Sequence, residues 1–185
     1  MTDRQEQTAP DAVLTRIGQV VMLHHAGDRE EARGRLLDLW AEIGEHGDPL
    51  HRCTLAHYLA DTQDDPADEL AWDLRALSAA DEAREARAVR GASEGGAAGE
   101  GAEAAKVRGF YPSLHLNLAA DYVKLGRTEA ARTHLRRARG AAAALADDGY
   151  GDGVRAAISR LALRLGDDDG PDGDSSWGPP RQRPS

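Results

Sequence analysis

Aromatic residues are scarce in this chain of 185 residues: they make up 4% of it, with a single Phe, so rings cannot fill its interior. The core must come from Leu, Ala, Val and Ile, which favours helices packed closely through small side chains. Runs of alternating Val, Ile, Thr or Tyr bounded by hairpin turns are missing, which argues against a sheet. One Cys leaves no intramolecular disulfide to form. No apolar stretch approaches the ~18 residues of a membrane-spanning helix, so no membrane association is expected. Positive charge is short as well: 23 Lys and Arg against 32 Asp and Glu give a net charge of -9. Such a chain is a poor ligand for nucleic acid, whose phosphates reward a basic face. The opening MTDRQEQTAPDAV has neither a basic nor an apolar leader region, so no export signal is predicted and the cytoplasm is the default expectation.

What the chain does have is helical periodicity broken at turn residues. Residues 1–10 read as a disordered arm. Val13, Leu14, Ile17, Val20 and Val21 then recur at helical spacing up to Gly27-Asp28, and Ala32, Leu36, Leu37, Leu39, Trp40 and Ile43 resume the period. A second hairpin follows Gly47-Asp48-Pro49, with Leu55, Tyr58, Leu59 and Thr62 on one helix, a turn at Asp64-Asp65-Pro66, and Leu70, Leu74 and Leu77 on the next. GASEGGAAGEG, within residues 91–105, reads as a flexible loop. It is no phosphate loop, because it lacks the lysine and no strand precedes it. A third hairpin spans about 110–148. After the break Gly149-Tyr150-Gly151-Asp152-Gly153, Val154, Ile158, Leu161, Ala162 and Leu165 stripe a helix over 152–166 suited to cover an exposed end. The tail 167–185 is rich in Gly, Pro, Asp and Ser and reads as disordered, with Trp177 a chance residue in it.

Within the third hairpin, His115-x2-Leu118-Ala119-x2-Tyr122 is followed by Gly126 and then Ala131-x3-Leu135. This pattern resembles the tetratricopeptide repeat, a two-helix unit of about 34 residues. The first hairpin aligns with it without a gap, Gly27 on Gly126, Ala32 on Ala131 and Leu36 on Leu135; the second aligns if its turn is one residue shorter. The resemblance covers roughly residues 11–166. It implies an all-α fold, a right-handed superhelix of three hairpins (about 11–46, 50–90 and 110–148) with a C-terminal capping helix.

The resemblance also implies a non-enzymatic adaptor whose concave groove, lined by the first helix of each repeat, holds an unidentified protein or peptide. Its register puts Leu14, Ile17, Gly18, Val21 and His25 on that groove in the first repeat, Cys53, Ala56, His57, Ala60 and Asp64 in the second, and Ser113, Leu116, Asn117, Ala120 and Lys124 in the third. Asn117 stands where the family often places an asparagine that bonds a peptide backbone, with His57 one repeat earlier. The apolar members imply a hydrophobic floor. Only Lys124 supplies a cation, so the implied ligand is not a terminal carboxylate. Tyr111, before Pro112, is expected to staple the start of the third hairpin. Asp61 and Asp121 occupy matching places after Leu59-Ala60 and Ala119-Ala120, as shared repeat ancestry would leave them.

Two other readings compete. Cys53 and His57 lie four apart on one helical face, a spacing at which two side chains can share zinc or copper, with His24, His25, His51 and His115 nearby. A Cys/His nucleophile from the same pair lacks an oxyanion hole. The uncapped first hairpin could instead pair with a second copy, making a structural homodimer. No cofactor is expected.

Overall fold

The computed structural model describes residues 8–94 and 100–166, with side chains at 12–89 and 108–166. Among the described residues all regular structure is helical: α1 (Thr8–His25), α2 (Arg29–Ile43), α3 (Pro49–Asp61), α4 (Pro66–Glu94), α5 (Glu100–Lys124), α6 (Thr128–Ala142) and α7 (Gly149–Leu165).

The turns of the first and third hairpins are built alike. Past the end of α1, Gly27 takes φ +102°, and the N–H groups of Gly27 and Asp28 return to the carbonyls of His24 (3.0 Å) and Leu23 (3.3 Å). Past α5, Gly126 takes φ +69°, and the N–H groups of Gly126 and Arg127 return to Val123 (3.0 Å) and Tyr122 (2.8 Å). Both are Schellman ends, in which a left-handed residue lets orphan carbonyls find donors, and glycine adopts that backbone without a Cβ clash. The aligned pairs Ala32 and Ala131, Leu36 and Leu135, are all buried. The register read between these two hairpins therefore holds.

The second hairpin is made differently. Asp48 Oδ1 accepts from the N–H of Leu50 (2.9 Å) and His51 (3.2 Å) ahead of α3, and Asp65 Oδ1 from the N–H of Ala67 (2.7 Å) ahead of α4. Pro49 and Pro66 stand first in their helices, where no N–H is needed. This start places α4 one residue away from the expected register. Leu74 is 42% exposed, whereas Asp73, Ala76 and Ala80 are buried, with the spacing at which Leu135 and Ala138 are buried on α6. An aspartate thus occupies a column where the apolar pattern pointed to leucine. Leu37 and Leu14 also face outward rather than into the core.

Three boundaries differ from expectation. The loop expected at 91–105 is helical at 91–94 and 100–105, because its Ala and Glu favour helix once the flanking turns have nucleated it; residues 95–99 lie outside the described set. Pro112, expected to open a helix, lies inside α5 and is buried there. The supposed break at 149–153 forms the first turns of α7, capped by Asp148 Oδ1 on the N–H of Gly151 (2.8 Å). Residues 8–10 of the expected arm are helical; residues 1–7 and the tail from 167, with Trp177, lie outside the described residues.

Packing follows chain order. Each helix packs on the next, and α1 also packs on α3, and α5 on α7. Contacts are thus local along the chain. One core joins α1 to α4 around Ile17, Leu36, Leu55 and Leu59, with Trp40 and Trp72 edge to face at 5.1 Å. Another joins α5, α6 and α7 around Ala119, Leu135, Ile158 and Leu161. Between them lies a cluster of small residues, Cys53, Ala56, Ala76, Ala79, Ala80 and Leu114.

Candidate functional site

Most of the apolar floor implied by the sequence is taken up by the core. Ile17, Val21, Cys53, Ala56 and Ala60 are buried in the core. Leu116 and Ala120 are half-buried against the third-hairpin core. Small residues allow neighbouring odd-numbered helices to close on one another, so positions expected to line a groove face the next helix instead. Leu14, Gly18 and His25 are exposed on α1.

Of the polar members, His57 and Asn117 meet each other, and Ser113, Lys124 and Asp64 are each engaged elsewhere in the chain. Asn117 Nδ2 on α5 donates to His57 Nδ1 on α3 at 3.2 Å, which places the imidazole proton on Nε2. Ser113 Oγ on α5 bonds the Tyr150 hydroxyl at the start of α7. Lys124 Nζ holds both Glu69 oxygens at 2.6 Å. Asp64 is taken by Arg29 and Arg33. Arg29 also donates from Nε to the carbonyl of Thr62 (3.0 Å) and from Nη2 to that of Gln63 (2.6 Å), satisfying the end of α3 and tying the first hairpin to the second. Arg132, aligned with Arg33, donates to the carbonyl of Leu165 (3.1 Å) at the end of α7.

Beneath this layer lies a pair of carboxyls that pattern reading missed. Asp73 on α4 and Asp121 on α5 are each 1% exposed, and their carboxyls are close enough to interact across the packed α4–α5 junction. Burial first, and then the charge of Asp73, push Asp121 well above the ordinary carboxyl range, to about 8. Beside them, burial pulls the His57 imidazole down. The Asp73 carboxylate, whose Oδ1 lies 3.8 Å from Nδ1, and the charge of Asp61 outweigh that, so its net shift is upward. The repeat symmetry of Asp61 and Asp121 stops at sequence, because Asp61 is exposed. Only the matching place of Asp121 hinted at this seam; Asp73 stood in a stretch scored by its leucines.

Cys53 does not suit metal or nucleophilic chemistry. It is 0% exposed, and burial, helped by the Asp73 charge, pushes its thiol up to about 12. A metal or an electrophile needs the thiolate, and the Nδ1 of its proposed partner His57 is already bonded to Asn117. Among the described residues no group of three or more His, Cys, Asp or Glu is arranged to hold a metal ion. Cys53 is expected to react with a disulfide reagent at pH 8 about a thousandfold more slowly in the native chain than in urea, since so little thiolate is present. Equal rates in the two states, read from the released thiolate chromophore, contradict the buried placement.

Tyr111 is not a staple at a helix start, because α5 begins eleven residues earlier, at Glu100. Its hydroxyl donates to Asp81 Oδ1 at 2.8 Å and the Arg84 guanidinium lies 5.6 Å from its ring centre, so it ties α5 to α4. One turn further along the same face of α5, His115, its ring 6.2 Å from that of Tyr111, meets His134 with the two Nδ1 atoms 3.2 Å apart, and the tilted rings of Tyr122 and His134 lie 5.4 Å apart. Comparison of the chain with protein-family models, with curated proteins and with solved structures finds no match.

Proposed function

We propose that this chain is a tetratricopeptide-like right-handed superhelix acting in the cytoplasm as a non-enzymatic adaptor, with a protein or peptide bound across the odd-numbered helices. The observation that supports this reading is the row of polar side chains crossing those helices. His57 and Asn117 join α3 to α5, Ser113 and Tyr150 join α5 to α7, and all four are at least partly exposed. A ligand amide can replace the partner in either bond, because both pairs exchange donor and acceptor roles readily.

The same surface disfavours an acidic ligand. Asp61 and Asp64 stand at the end of α3, and Lys124, the surface's cation, is bound by Glu69 of the neighbouring α4. A neutral or basic segment suits it better. The buried places of Ile17, Val21 and Cys53 leave side-chain recognition to Leu14, Leu116 and Tyr150. The double variant Asn117→Ala, His57→Ala, used as bait in the native lysate, is expected to capture its partner about tenfold less well than the unaltered chain. Its helical circular dichroism is expected to stay intact, and undiminished capture would overturn the reading.

A further inference from the structure

Buried carboxyls need a counter-charge or a proton, and the seam between α4 and α5 is short of counter-charge. Asp73 and Asp121 are each 1% exposed, and one oxygen of each, Asp73 Oδ1 and Asp121 Oδ2, has no hydrogen-bond partner. From α5 itself, Lys124 Nζ approaches Asp121 Oδ1 to 3.6 Å but is held more closely by Glu69 of α4 at 2.6 Å. From α3, His57 Nδ1 stands 3.8 Å from Asp73 Oδ1, with Asp61 adding negative charge beside it. Among the described residues no ion pair from α6 or α7 reaches either carboxyl. Negative charge is therefore in excess, and no metal-holding group exists there among the described residues. The cation that fits is a proton.

Two neighbouring carboxyls in a site this dry, each with an unpartnered oxygen, cannot both ionise without a large cost, so the pair keeps one proton between them. We propose that Asp73 and Asp121 form a proton-operated latch between the second and third hairpins: one shared proton hydrogen-bonds α4 to α5, and its loss leaves two neighbouring buried anions that loosen the junction. The upward shift of Asp121 agrees with this geometry. Its folded value lies above its unfolded one, so the folded chain keeps a proton that the unfolded chain has lost. The latch is strongest in acid and weakens as pH rises from about 4 to about 8. His57, also shifted upward, acts in the same sense above its ordinary value. The latch does not depend on the proposed binding function, although the His57–Asn117 bond crosses the same junction.

The test is Asp121→Asn, whose amide donates to Asp73 and cannot lose a proton. Between pH 6.5 and 7.5, the logarithm of the unfolding constant in urea is expected to rise less steeply in the variant, by about one per pH unit, the signature of one proton. In wild type, amide exchange along α4 and α5, corrected for the intrinsic rate, is expected to speed up about tenfold between pH 7 and 9; in the variant it stays level. A variant that keeps both the slope and the speeding of wild type overturns the latch. If Asp121→Asn does not fold, carbon-detected titration of the wild-type carboxyls decides: one aspartate titrating above pH 6 supports the latch, and all of them titrating below pH 5 overturns it.

Discussion

Leu135→Ala is expected to lower the stability of the folded chain by about 3 kcal/mol, a large part of the 5–15 kcal/mol typical of a domain. Leu135 is fully buried where α5, α6 and α7 meet, against Ala119, Ala138, Leu145 and Ile158. The surrounding alanines are too short to close the space left by the missing isobutyl group, so a cavity adds to the lost transfer free energy. Leu74→Ala is the matched control. Leu74 is 42% exposed, and its truncation is expected to cost about 0.5 kcal/mol. Urea midpoints followed by circular dichroism measure both. A Leu74→Ala loss as large as that of Leu135→Ala contradicts the register of α4, and with it the burial of Asp73.

The second large effect is on the acid side. His115 is partly buried against α6, and burial first, then His134 and Arg137, push its imidazole down to about 4, with His134 shifted the same way. A histidine with a folded value below its ordinary one stabilises fully above about 6.5, and that stability is lost as pH falls through the window from 6.5 to 4. His115→Gln keeps a polar group of similar reach and cannot take up a proton. Relative to wild type it is expected to gain roughly 1.5 kcal/mol between pH 7 and pH 5, part of the full shift being lost to solvent screening. Asp121 pulls the wild-type curve the opposite way over the same interval, so the difference between the two chains carries the result. A difference that does not change with pH means that His115 titrates normally and that its contact with His134 has no electrostatic consequence.

The helices, their order and the register between the first and third hairpins were all legible. Gly27 and Gly126 mark turns that really need a left-handed residue, and Ala32, Leu36, Ala131 and Leu135 are spaced as one face of a helix must be. The second hairpin was harder, because its turns are set by aspartate caps and helix-opening prolines. A one-residue shift of α4 then exchanges Leu74 for Asp73 at the buried column. Hydrophobic pattern favours the leucine, and only the packing of α4 between α3 and α5 overrides it.

The sequence by itself determined that this is an all-helical chain of stacked hairpins, because periodicity, capping and turn residues are local properties encoded within a few positions of one another. The tertiary structure alone decided which polar residues meet. His57 and Asn117 are sixty positions apart, and Asp73 and Asp121 lie on different hairpins. It also decided that the supposed groove floor of Ile17, Val21 and Cys53 is core. Those outcomes depend on how closely neighbouring helices approach, and that distance is a sum of many small side-chain volumes that no single stretch of sequence contains.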